Sequence, residues 1–100
     1  MKAKRWILPG LFLLIGTALL AHSGKPKHHV VVDTDGALDD MRALSMILSG
    51  HEIRTLAITG SHGTLYPGQA AAKARALLAT YHHEGIPVGT GTRLDVPLPP

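Results

Sequence analysis

The sequence predicts an α/β fold, a parallel β-α-β-α-β unit. Three observations predict it. Apolar, β-branched runs (Val30-Val31-Val32, Ile53 to Thr59, Ile86-Pro87-Val88) alternate with two segments whose apolar residues recur at helical spacing. Gly50 and Gly85 stand where the two helices should stop. The connections are short, and that order with such connections builds a parallel sheet with right-handed crossovers.

Residues 1–23 have the layout of a secretory signal peptide. Lys2, Lys4 and Arg5 form a basic start, Trp6 to Ala21 an apolar core, and Ala21-His22-Ser23 a small-residue cleavage site before Gly24. Pro9, Gly10 and Gly16 interrupt that core, which is shorter than the roughly 20 apolar residues of a membrane span. The expected destination is therefore secreted or periplasmic, and a membrane enters only through the leader if it stays uncleaved. Residues 24–100 are expected to form the folded part. Gly24 to His29 is a polar linker with Pro26 discouraging helix, and His28-His29 is a solvated strand start.

Val30 to Asp35 is the first strand, and three consecutive valines suit a strand buried on both faces. Gly36-Ala37-Leu38 turns the chain. Asp39 and Asp40 begin a helix with Met41, Leu44, Ile47 and Leu48 on its apolar face. Ile53 to Thr59 is the second strand, with Leu56, Ala57 and Ile58 as its buried centre, and the loop Gly60 to Thr64 follows. A second helix opens at Pro67 or Gly68. Ala70, Ala71, Ala74, Leu77, Leu78 and Tyr81 give it an apolar side that permits close packing, while Lys73 and Arg75 face out. His82-His83 at its end suit the helix dipole. Ile86-Pro87-Val88 begins the third strand, a Gly89–Arg93 loop follows, and Leu94 to Pro100 is extended. All three strand ends then share one edge, which gathers the acidic turn and both loops around one crevice. Three strands make a thin core for a sheet that needs cover on both faces, so the chain is expected to be part of something larger.

The chain of 100 residues carries ten Lys and Arg against seven Asp and Glu. Lys2, Lys4 and Arg5 account for the whole net charge of +3, so the remainder is neutral and gives no footprint for nucleic acid. With no cysteine, thiol chemistry and Cys-ligated zinc are excluded.

Asp33, Asp35, Asp39 and Asp40 crowd the end of the first strand. Asp39 and Asp40 suit a helix start, where free N–H groups and the dipole favour carboxylates. That role leaves Asp33 and Asp35 unexplained. Neighbouring carboxylates repel, and either protonation or a hard cation relieves the repulsion. All-oxygen donors select calcium, magnesium or manganese. An EF-hand is excluded, because its twelfth position would be Leu44 rather than Glu.

The stretch Asp33-Thr34-Asp35-Gly36-Ala37-Leu38-Asp39-Asp40 resembles the amino-terminal fingerprint of the nucleoside hydrolases, an apolar strand followed by Asp-x-Asp-Pro-Gly-x-Asp-Asp. Leu56-Ala57-Ile58-Thr59 through Gly63, and Ile86-Pro87-Val88 with Gly89 and Gly91, are similar to the family's second and third strands. The resemblance covers the first quarter to third of a family member. It implies a unit that is the first part of a doubly wound open sheet, and calcium-dependent hydrolysis of the N-glycosidic bond of ribonucleosides. It implies that Asp35 binds calcium and acts as general base on a calcium-bound water, and that Asp40 is a second calcium ligand. Asp39 would hydrogen-bond a ribose hydroxyl, Thr64 would stand at the substrate, and Asp33 would support the cluster.

The chain departs from the family at Gly36-Ala37, in place of Pro-Gly, and at Thr64, where the family has Asn. The family's further Asp ligand and its proposed acid, a His, lie downstream, so the chain alone is expected to be inactive. The expected partner is a small ribonucleoside, and homo-oligomerisation is left open. The same strand end also resembles the first motif of haloacid-dehalogenase-like phosphatases, with Asp33 as nucleophile, Asp35 as acid/base and magnesium as the ion. That reading gives Asp39 and Asp40 no task. A non-catalytic ribose- or calcium-binding protein is the remaining alternative.

Overall fold

The computed structural model describes residues 25–100. The signal peptide read over 1–23 lies outside the described residues. Five elements follow in the predicted order: β1 (His28–Thr34), α1 (Leu38–Ser49), β2 (Ile53–Gly60), α2 (Pro67–Thr80) and β3 (Val88–Thr90). The three strands are parallel and lie in the order β1-β2-β3. Among the described residues, no helix is long and apolar enough to cross a membrane.

Both helices pack on one face of the sheet. Leu44 and Leu48 of α1 and Ala74 and Leu78 of α2 share one core with Ile58 of β2, and Val32, Val88 and Tyr81 pack against it. Two crossovers of one hand, along a sheet that grows in one direction, place their helices on the same side. Ala70, Ala71 and Ala74 are wholly buried, so the small side chains do let α2 lie close on the strands.

The other face is open, which corrects the expectation for β1 and β2. Val31 is 63% exposed and Leu56 47%. A bulge accounts for the pattern in β2: Val30 pairs with Thr55 but Val31 pairs with Ala57, leaving Leu56 as the extra residue. A bulge shifts the alternation by one. Thr55 and Ile58, three apart, are therefore both buried on the helix side.

Helix α2 stops earlier than Gly85 suggests. Tyr81 caps it and His82 adopts the left-handed conformation, with φ 58°. The His82 N–H donates to the Ala79 carbonyl (3.2 Å) and the His83 N–H to that of Leu78 (2.8 Å). That pair of bonds is a Schellman closure, with histidine in the place glycine usually takes. The His83 ring lies against the Leu48 carbonyl, with Nε2 at 3.2 Å, and so ties the end of α2 to α1.

Candidate active site

Asp35 lies immediately after β1, at the carboxyl edge of the sheet. The turn that follows needs a left-handed residue, and Gly36 supplies it with φ +81°. A side chain there would also strike Leu65 Cδ1 at 2.7 Å. The family's Pro-Gly order is thus replaced by one in which the first residue carries the unusual conformation. Ala37 is extended and precedes α1. Its N–H donates to Asp35 Oδ1 at 3.2 Å, an Asp side chain bonding its own backbone two residues on.

The loop after β2 closes over the other oxygen. The Thr64 N–H (3.0 Å) and hydroxyl (3.1 Å) both donate to Asp35 Oδ2. Leu65 N–H donates to the Asp35 carbonyl at 3.1 Å, and Ser61 N–H to that of Thr34 at 2.8 Å. The loop passes so near that a Cβ at Gly63 would lie 2.5 Å from Asp35 Oδ2. Only a glycine allows this approach.

Asp40 stands in the first turn of α1. Its Oδ2 accepts from the Thr34 hydroxyl (2.8 Å) and from the Asp35 N–H (3.3 Å). Thr34 is 2% exposed, and its hydroxyl oxygen also accepts the Gly36 N–H at 3.1 Å. The buried threonine thus couples the turn to Asp40. From α2, Lys73 Nζ donates to the Gly36 carbonyl at 2.7 Å.

The donors around Asp35 favour its charged form. The Thr64 N–H, and next the Ala37 N–H, hold the Asp35 carboxyl below the usual carboxylate range. Partial burial pulls the other way, and the Thr64 hydroxyl adds a smaller contribution that lowers it. Hydrogen bonds to the charged form favour ionisation.

The structure therefore brings Asp35, Asp40 and Thr64 together. Asp33 and Asp39 stand apart from them, and both are exposed. Asp33 Oδ1 accepts from the Thr59 hydroxyl at 2.6 Å, across the β1–β2 pair. Asp39 lies in the first turn of α1 and makes no side-chain hydrogen bond among the described residues. Sequence reasoning missed Thr34 and Lys73. The alternation from Val30 through Val32 places Thr34 inward, which is the signal that could have found it. A cleft of about 630 Å³ opens at the other end of β2, beside Ile53, Thr55, His82 and Pro87. No carboxylate lines it, and we place the candidate site at the acidic turn.

A carboxylate oxygen can accept two hydrogen bonds. Asp40 Oδ1 accepts none among the described residues and Asp35 Oδ1 accepts one. Two neighbouring carboxylates with spare acceptor capacity suit a hard cation, although calcium takes six to eight oxygens. No group of three or more His, Asp or Glu forms a metal cluster among the described residues. The donors present fit part of such a shell, with the remaining oxygens supplied from outside this pair.

Fold and site define an α/β protein with a carboxylate centre at the carboxyl edge of a parallel sheet. More particularly, the chain belongs to the inosine-uridine preferring nucleoside hydrolase family, whose model matches residues 30–99. A solved plant nucleoside hydrolase, the PpNRh1 enzyme, is 34% identical with a TM-score of 0.63. The match covers 68% of this chain and 21% of that enzyme, so the chain spans about a fifth of its length. No curated protein sequence matched the chain.

Proposed function

We propose that the full-length protein hydrolyses the N-glycosidic bond of ribonucleosides to base and ribose, with calcium held at the acidic turn. The observation that carries this reading is the Asp35 carboxylate, held by the Thr64 and Ala37 N–H groups at the end of β1 beside Asp40. Family membership and the likeness to the plant enzyme support it.

Breaking the bond between ribose and base develops positive charge on the sugar, and a fixed anion stabilises that charge. Asp35 would take a proton from the attacking water, and Asp35 and Asp40 would hold the metal. A carboxylate with a lowered pKa is a weak base, so it suits a water that is itself acidified. Calcium, when bound, supplies that acidification and a hold on the ribose diol. Asp39, exposed in the first turn of α1, would hydrogen-bond a ribose hydroxyl. The Thr64 hydroxyl donates to Asp35 and keeps only acceptor capacity toward the sugar. Asp33 braces the strand end through Thr59.

Release of base from inosine and uridine, measured with and without EDTA, tests the proposal. Chelation is expected to abolish turnover. Asp35→Ala is expected to lower kcat by a factor on the order of 10³, the scale of losing a positioned base and its charge. Full activity in EDTA would refute the calcium requirement. Ribose binding without turnover would favour the non-catalytic reading, and phosphate release from a phosphomonoester would favour the phosphatase.

A further inference from the structure

The loop that holds Asp35 is also fastened on its far side, by residues the proposed chemistry does not use. Leu94 N–H points at His62 Nδ1 across 3.3 Å. The His62 ring meets Tyr66 edge to face, with centroids 5.5 Å apart and planes at 69°. The Arg93 guanidinium lies over Tyr66, 3.8 Å from the ring centroid. Tyr66 itself is set at the start of α2, where its N–H donates to Gln69 Oε1 at 3.1 Å. One short loop therefore carries Thr64 toward Asp35 on one side and His62 toward the segment after β3 on the other.

We propose that His62 is a positioning residue, a clamp between the Gly60–Thr64 loop and Arg93-Leu94 that seats Thr64 on Asp35. The tautomer supports this. Because Nδ1 accepts the Leu94 N–H, the ring proton of the uncharged imidazole sits on Nε2. That Nε2 is buried and has no partner among the described residues. A buried donor without an acceptor costs stability, whereas a phenylalanine could make the same edge contact with Tyr66 without that cost. What histidine adds is the acceptor for Leu94. His62 also directly precedes Gly63, which runs so near Asp35 that a Cβ there would clash, and it stands two residues before Thr64, whose N–H meets Asp35 Oδ2.

The clamp deepens the reading of this site as a ribonucleoside hydrolase site, yet its test does not depend on turnover. Asparagine places a side-chain oxygen near the position of Nδ1, glutamine places one nearer Nε2, and phenylalanine keeps only the ring. Amide hydrogen exchange in the full-length protein, resolved at Thr64 and Leu94, is compared across His62→Asn, His62→Gln and His62→Phe. We expect exchange at both amides to quicken by roughly tenfold in the Gln and Phe variants, the scale of one hydrogen bond. In the Asn variant we expect it to stay within about twofold of the unsubstituted protein, because the acceptor is kept. Faster exchange at Leu94 with Thr64 unchanged would overturn the proposal. So would an Asn variant as fast as Phe. A protein that shows the coupled pattern but hydrolyses no nucleoside would refute the proposed function and leave the clamp standing.

Discussion

Asp35 is the residue on which the site turns, and its acidity gives a prediction with a definite sign. Its folded carboxyl binds a proton less readily than an ordinary aspartate, because the Thr64 and Ala37 N–H groups favour the anion. Its contribution to stability is therefore complete above the ordinary Asp value of about 3.9, and is lost as pH falls through the lowered folded value. Thermal unfolding of Asp35→Asn and the unsubstituted protein, compared from neutral pH into acid, should show a gap that is constant at first. The gap should narrow only below the ordinary carboxylate range. A gap that widens in acid would mean that the carboxyl is raised. The four aspartates were legible as a group because two of them, Asp33 and Asp35, stand at a strand end, where carboxylates are out of place. Their division into a joined pair and two outliers was not, because it depends on the Thr34 hydroxyl and on a loop 29 residues away in sequence.

Among the elements, order and type were legible and ends were less so. The strands and helices follow hydrophobic period, which burial enforces. Helix ends follow local bonding, which many residues can satisfy. Gly85 marks the obvious stop for α2, but the helix's apolar face ends at Tyr81, which packs on the core, and His82 to Gly85 are exposed. The chain therefore turns at His82 and accepts a left-handed φ there. That conformation costs an L-residue about 1–2 kcal/mol, part of which glycine returns through its freedom in the unfolded chain. His82→Gly should accordingly raise stability by about 0.5–1 kcal/mol, read as an increase in Tm, while His82→Val should lower it. A glycine variant that unfolds at a lower temperature would show that the His82 side chain carries contacts worth more than the strain.

At the scale of the whole molecule, one face of the sheet decides what the chain can do alone. Three valines in a row imply cover on both sides, yet both helices fall on one. The sequence does reveal the need for cover; it cannot reveal which side is left bare, because that follows from the hand of the crossovers and the direction in which the sheet grows. The bulge at Leu56 adds to the exposure, since it turns a residue expected in the centre of β2 outward. Val31 and Leu56 together make an apolar surface on strands whose flat faces invite another copy. A polypeptide of residues 25–100 should therefore self-associate at micromolar concentration, measurable by sedimentation. Replacing both residues by threonine, which is β-branched, suits a strand and lowers the exposed apolar area, should return it toward monomer without unfolding β1 or β2. Association unchanged by the double substitution would mean that the polypeptide meets itself elsewhere, and would assign the bare face no part in the contact.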